Sequence, residues 1–264
     1  MKRLSKIALM RRPSPRLADG LVTHIEKSEV DLPKALRQWE AYGEALKRTG
    51  WSVIDLPPAD SCPDSVFIED ALVMFGKVAI VTRPGSVERL PEIDGLETYL
   101  RQIGLSTVHH IKDGTLDGGD VLKVGDTVFV GQGGRTSEAG IAQLARLLEP
   151  RDYKVVAVPM TKALHLKSAC TALPDGTLLF HPAALDDEGL RILSQSSKKP
   201  MLPSLEEPGS HVVVLDSQSV LMSTAGAKTA TLLRDGHGLS TVLVDISEFE
   251  RLEGCVTCLS VRVR

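Results

Sequence analysis

The stretch Asp120-Val121-Leu122-Lys123-Val124-Gly125-Asp126-Thr127-Val128-Phe129-Val130 holds two alternating runs of strand-forming residues on either side of a Gly-Asp step. β-Branched and aromatic side chains suit a pleated surface, and Gly-Asp supplies a tight reversal, so the spacing predicts a β-hairpin. C-terminal to it, Glu138 to Leu148 reads as an amphipathic helix and Lys154 to Val158 as a further strand. Hairpin, helix and strand form a unit, and the unit recurs.

Upstream, Ser65-Val66-Phe67-Ile68 is expected to pair with Val78-Ala79-Ile80-Val81, ahead of a helical stretch Glu88 to Ile103 and a strand Ser106-Thr107-Val108. Downstream, strands around Leu164-His165-Leu166 and Gly176 to Phe180 precede a helix near Leu185 to Ser194. His211 to Leu215 and Ser219 to Met222 precede a helix near Ala227 to Leu233 and the strand Thr241 to Val244. The units begin about 45 to 55 residues apart, as supersecondary repeats do. A fifth is split between the ends: Val256 to Val263 would join Lys6 to Met10, with the helix Pro33 to Arg48 and the strand Trp51 to Leu56. Five such units with the two ends meeting make a closed α/β ring, which shelters strand edges and gathers turns around a central pit. Lys198 to Gly209 reads as a loop. Nothing resembles a linker, so residues 1–264 are expected to form one domain.

The 264 residues are 42% hydrophobic, 25% charged and 4% aromatic, with a net charge of -3. That is ordinary for a globular chain with a sizeable core. No basic surplus or aromatic platform points to nucleic acid, and no polybasic tract to a membrane surface. The opening Met1 to Arg12 is basic, but Ile7 to Met10 is too short for a signal-peptide core and reads as the first strand. Four cysteines, Cys62, Cys170, Cys255 and Cys258, make no disulfide framework, and a reducing cytosol is the expected home. Cys255 and Cys258 are spaced as a redox pair or half a zinc site. No second ligand pair accompanies them, and they lie among strand residues rather than at a helix start.

The residues able to do chemistry lie at strand and turn edges. They are Cys258, His165, the cluster Asp64-Ser65-Val66-Phe67-Ile68-Glu69-Asp70, Asp117-Gly118-Gly119-Asp120, and Arg83 and Arg135 just past two hairpins. A thiolate can attack carbon, an imidazole can move protons, carboxylates can hold a cation and a planar guanidinium can grip a carboxylate. Singly, each has a plainer reading: a buried small thiol, a core histidine, a solvated strand end, an Asp-Gly turn, a surface arginine.

Together, Pro63 to Asp70, Thr82 to Gly85, Leu116 to Val121, Gly134 to Thr136, Leu164 to Lys167 and Thr257 to Ser260, in this order, resemble the dimethylarginine dimethylaminohydrolase family of the guanidino-group-modifying superfamily. The resemblance covers nearly the whole chain, and Leu17 to Leu21 also fits. It implies the five-bladed pseudo-symmetric α/β propeller (pentein) fold, in agreement with the ring. It also implies hydrolysis of methylated arginine to citrulline through a covalent thiouronium, with no metal or organic cofactor. By the same resemblance Cys258 is the nucleophile, His165 the general acid and base, and Asp117 its companion. Asp70 with Glu69 beside it holds the guanidinium. Asp64 and the carbonyls of Leu21 and Leu252 hold the amino-acid end or nearby substrate atoms, Arg83 and Arg135 take the α-carboxylate, and Leu21 lies on a lid. The partner is a small molecule, with neither nucleic acid nor membrane, and the chain acts as monomer or homodimer.

Two rivals remain. Arginine and related deiminases carry His-x-Asp, where this chain has His165-Leu166-Lys167, and they are commonly longer. A non-catalytic propeller that binds a partner would have no need of Cys, His and paired acids in register.

Overall fold

A computed structural model describes residues 6–264; Met1 to Ser5, which include the basic opening residues, lie outside them. Among the described residues, fifteen strands fall into five three-stranded sheets, each ordered first–second–third along its own blade. The hairpin at residues 120–130 is present, as β6 (Val121–Val124) and β7 (Thr127–Gln132), with Gly125 at φ 61° in the reversal. That left-handed angle is open to glycine without the clash a Cβ would bring. The helix Glu138–Leu148 follows, its first turn capped by Ser137 Oγ, which accepts from Gly140 N at 3.3 Å. β8 (Lys154–Pro159) then lies parallel to β7.

The same plan repeats. β3 (Leu72–Phe75) and β4 (Val78–Val81) are antiparallel, and β5 (Thr107–His110) lies parallel to β4. β9 (Cys170–Ala172), β10 (Leu178–Phe180) and β11 (Leu202–Pro203) form another blade, and β12 (Val213–Val214), β13 (Ser219–Ser223) and β14 (Ser240–Val244) the next. The last blade closes the ring through both ends of the chain. β1 (Ile7–Met10) pairs antiparallel with β15 (Val261–Val263) and parallel with β2 (Ser52–Asp55), with Leu9 opposite Val261 and Ile54.

Several expectations shift. Ser65–Ile68 is not a strand: β3, seven residues further on, pairs with β4, and the acidic cluster occupies tight turns ending in a 3-10 turn at Ile68–Asp70. His165 likewise precedes its strand, and of Val256 to Val263 only the last three residues are extended. The span Glu88 to Ile103 breaks into a 3-10 segment containing Pro91 and a short helix, Leu96–Gln102, separated at Gly95 with φ 71°. The supposed loop Lys198 to Gly209 supplies β11, which tolerates Pro203 because it is a sheet edge.

The first strands of all five blades line a cavity of about 750 Å³, with Leu72, Val121, Ala172, Val214 and Val261 among its walls. The helix Leu32–Arg48 packs Tyr42 and Leu46 beneath the two chain ends. Among the described residues, no helix is long and apolar enough to cross a membrane.

Candidate active site

Each first strand is entered through a tight turn near the ring axis. Ile68–Asp70 leads into β3, Gly118–Asp120 into β6, Leu166–Ser168 into β9, Glu207–Ser210 into β12, and the turn closed by Cys258 N donating to Cys255 O (3.1 Å) into β15. Neighbouring residues in these turns face opposite ways. Asp70, His165 and Cys258 line one small cleft, while Glu69, Lys167 and Thr257 line the axial cavity behind it.

His165 is held at both ends. Its Nε2 lies 2.9 Å from Asp117 Oδ2 and its Nδ1 3.8 Å from Asp70 Oδ1. A carboxylate only accepts, so Nε2 carries a proton. Asp117 is fixed in turn by Gly85 N, which donates to its Oδ1 at 2.7 Å. Burial disfavours the charged ring, but Asp70 and the hydrogen bond to Asp117 outweigh it and carry His165 up to about 9. The ring is an imidazolium at neutral pH. Burial likewise pushes Asp70 up, yet His165 and Arg89 hold it down to about 2. Arg89 Nη1 donates to Asp70 Oδ2 at 2.6 Å and Gly119 N to its Oδ1 at 2.9 Å. Asp120, pushed up to about 6 by burial, accepts from Thr136 Oγ1 (2.6 Å) and Leu166 N (2.9 Å), tying two blades together behind the histidine.

The two sulfurs Cys255 Sγ and Cys258 Sγ stand 3.2 Å apart, both buried. An S–H···S bond at this distance favours loss of one proton from the pair, while that bond and burial disfavour loss of the second. The pair carries a single negative charge readily.

Arg135, Asp64, Leu21 and Leu252 also line the cleft. Arg135 Nη1 comes within 3.9 Å of Asp117 Oδ2, and Leu21 N donates to Asp64 at 3.1 and 3.2 Å. The loop that follows is pinned by Glu253, whose carboxylate accepts from Thr23 N (2.7 Å) and His24 N (2.5 Å). Glu253 adopts φ 60°, an uncommon angle outside glycine. Closed in this way, the cleft has about 20 Å³ of free space, room for about one water.

Two expected residues are elsewhere. Arg83 is exposed, donates to Gly114 O at 2.9 Å and does not line the cleft. Backbone alternation explains it: Thr82 turns inward and is fully buried, so Arg83 turns out. Glu69 does not face the cleft. Its Oε1 pairs with Lys167 (2.6 Å) and Arg262 (3.2 Å) on the side of the axial cavity. Lys167 therefore does not stand where an acid would touch a bound guanidinium. The cleft cation missed by sequence reasoning is Arg89, buried, with Nε 2.8 Å from Glu92 Oε1 as well as its bond to Asp70. The signal was the Arg89-x-x-Glu92 spacing, a pair three residues apart within an otherwise helix-like stretch.

The family model described as arginine deiminase matches residues 87–207. A Streptomyces coelicolor protein, N(G),N(G)-dimethylarginine dimethylaminohydrolase, is 55% identical over 98% of both chains. The chain belongs to the dimethylarginine dimethylaminohydrolase family. The Pseudomonas aeruginosa relative of the same name is 30% identical over 97% of this chain and 99% of its own. Among solved structures, a dimethylarginine dimethylaminohydrolase variant with histidine replaced by glycine, as an adduct with S-methyl-L-thiocitrulline, superposes with a TM-score of 0.86 at 29% identity, covering 97% of this chain and 98% of the other. The Pseudomonas aeruginosa enzyme with cysteine replaced by serine, complexed with citrulline, gives the same TM-score, identity and coverage. The five sheets are thus the blades of the pentein α/β propeller, the fold this family shares.

Proposed function

We propose that this chain hydrolyses Nω,Nω-dimethylarginine and Nω-monomethylarginine to citrulline with release of dimethylamine or methylamine. The observation that carries this reading is the shared cleft. Cys258, His165, Asp70, Asp64 and Arg135 converge there from separate blades, in a chain 55% identical to a dimethylarginine dimethylaminohydrolase.

A guanidinium is a poor electrophile because its charge is delocalised. Asp70 and Asp64, both buried, would fix it and keep it cationic beside the sulfur. Arg89 holds Asp70 in place, and Arg135 is the cation placed to take the substrate carboxylate. The loop carrying Leu21 must open, because about 20 Å³ admits no arginine.

Cys258 attacks the guanidinium carbon as thiolate, favoured by the bound cation. His165, charged at neutral pH, gives its proton to the departing amine. Neutral His165 then draws a proton from water, which attacks the thiouronium and frees citrulline and Cys258. The ring would act as one catalytic domain on a free small molecule, and the buried thiols suit the cytosol.

A second reading, an arginine or agmatine deiminase of the same superfamily, is favoured by the match of residues 87–207 to the arginine deiminase model. Incubation with dimethylarginine, arginine and agmatine separates the two. Citrulline should form from the methylated substrate, and Cys258→Ser should lower it by about a thousandfold or more. Turnover of agmatine or arginine alone would overturn the assignment.

A further inference from the structure

Cys255 has no part in the chemistry above, yet it sits against the nucleophile. The two sulfurs are 3.2 Å apart, and Cys255 N also donates to Cys258 Sγ at 3.5 Å. The backbone between them is already a tight turn, closed by Cys258 N to Cys255 O at 3.1 Å. In such a turn the two Cα atoms lie within about 7 Å, inside the range a disulfide spans. A bond needs the sulfurs only about 1 Å closer, which small side-chain rotations supply. The other cysteines have no such neighbour: Cys170 Sγ bonds only a carbonyl and Cys62 Sγ only the Ser61 hydroxyl.

We infer that Cys255 and Cys258 form a reversible oxidation site, in which a hydroperoxide converts the dithiol to a disulfide and so takes the nucleophile out of use. The inference rests on Cys258 being that nucleophile. In the first step the Cys258 thiolate attacks a peroxide oxygen. An S–O bond forms, the O–O bond breaks, and the leaving hydroxide takes a proton to become water, leaving Cys258 as a sulfenic acid. In the second step Cys255 sulfur attacks Cys258 sulfur. The S–S bond forms and the S–O bond breaks, and the departing hydroxide carries off the Cys255 proton as a second water. Both sulfurs are oxidised and one peroxide is reduced to two waters. A dithiol reductant reverses the bond by exchange.

The geometry also limits damage. A sulfenic acid on Cys258 meets a thiol at contact distance before a second peroxide can reach it through a cleft with room for about one water. Cys255 thus diverts Cys258 from the irreversible sulfinic and sulfonic acids. Thr257 Oγ1 lies 3.2 Å from Cys255 Sγ.

The test treats the full chain with graded hydrogen peroxide, blocks remaining thiols with an alkylating agent and analyses the peptide holding both cysteines by mass. The wild type should lose both alkylation sites together, with the loss of two hydrogens. Dithiothreitol should restore both thiols and, in parallel, more than about four-fifths of citrulline formation. Cys255→Ser should keep its untreated turnover within about twofold but accumulate Cys258 sulfinic and sulfonic acids, with recovery at least about fivefold poorer. If the wild-type peptide showed oxygen added at Cys258 while Cys255 stayed alkylatable at every dose, the inference would fail. The mass readout needs no activity. A disulfide in a protein that made no citrulline would sink the catalytic reading and spare the linkage, and citrulline formation without a disulfide would do the reverse.

Discussion

His165 owes its charge to two carboxylates, and both are held by glycines. Gly85 N donates to Asp117 and Gly119 N to Asp70. A Cβ on Gly119 would lie 2.6 Å from Asp70 Oδ1 and 2.7 Å from His165 Nδ1, so the position has room for hydrogen only. Gly119→Ala should therefore push the histidine and the acid apart. It should cost about 1–3 kcal/mol of stability and at least about tenfold in kcat, read from chemical denaturation and initial rates. Unchanged kinetics would mean that the His165–Asp70 spacing does not matter. At this scale the reactive residues were legible from chemistry and resemblance, whereas the direction of each side chain was not. Glu69 and Arg83 are the right residue types beside the right turns, but they face the axial cavity and the outer surface. One residue of phase decides between cleft and cavity, and a tight turn does not announce its phase in sequence as a strand or helix does.

The active elements are turns, and turns need anchors from elsewhere. The Cys258 loop is held by Tyr42 on the helix Leu32–Arg48. Its buried hydroxyl donates to Val256 O at 2.8 Å and lies 2.8 Å from Ser260 Oγ. Burial pushes the Tyr42 phenol up to about 12, so it stays a donor across the working range. Tyr42→Phe leaves Val256 O without this partner in the core. A loss of about 1–2 kcal/mol is expected, with a larger fall in kcat than change in KM, because the nucleophile's turn loosens while the carboxylate grip stays intact. A KM effect alone would contradict this role. Helices such as Glu138–Leu148 and the Gly125 hairpin read correctly because period and turn chemistry are local. The strands that follow Asp70, His165 and Cys258 read too early because apolar residues flank the catalytic turns: Val66, Phe67 and Ile68, Leu166, Val256 and Leu259 are apolar for packing at the hub, not for a pleat. The strand β11 was missed because two residues, one of them a proline, carry no periodicity.

Across the whole molecule, closure through β1 and β15 brings the residues of Leu21, at one end of the chain, against Leu252 and Cys258, at the other. The closed ring was visible in the repeat, since five similar units with complementary ends have few other ways to hide their edges. The axial cavity and its separation from the cleft by single turns were not visible, because they depend on tertiary phase. The buried charges at the hub make stability depend on pH. His165 is raised from 6.5 to about 9. The folded state therefore holds its proton more tightly than the unfolded chain, and the contribution is complete below about pH 6.5 and lost as pH climbs through about 9. Compared with His165→Gln, the wild type should lose melting temperature over that window, and the two curves should run parallel below it. Parallel curves throughout would show that the histidine is not charged in the fold.

The most direct measurement is a rapid acid quench of the protein during turnover of dimethylarginine, followed by mass analysis of the peptide from Cys255 to Arg264. The account expects a thiouronium adduct on Cys258 that forms and decays at the rate of citrulline release. Citrulline appearing at full rate with Cys258 unmodified at every time point would contradict it.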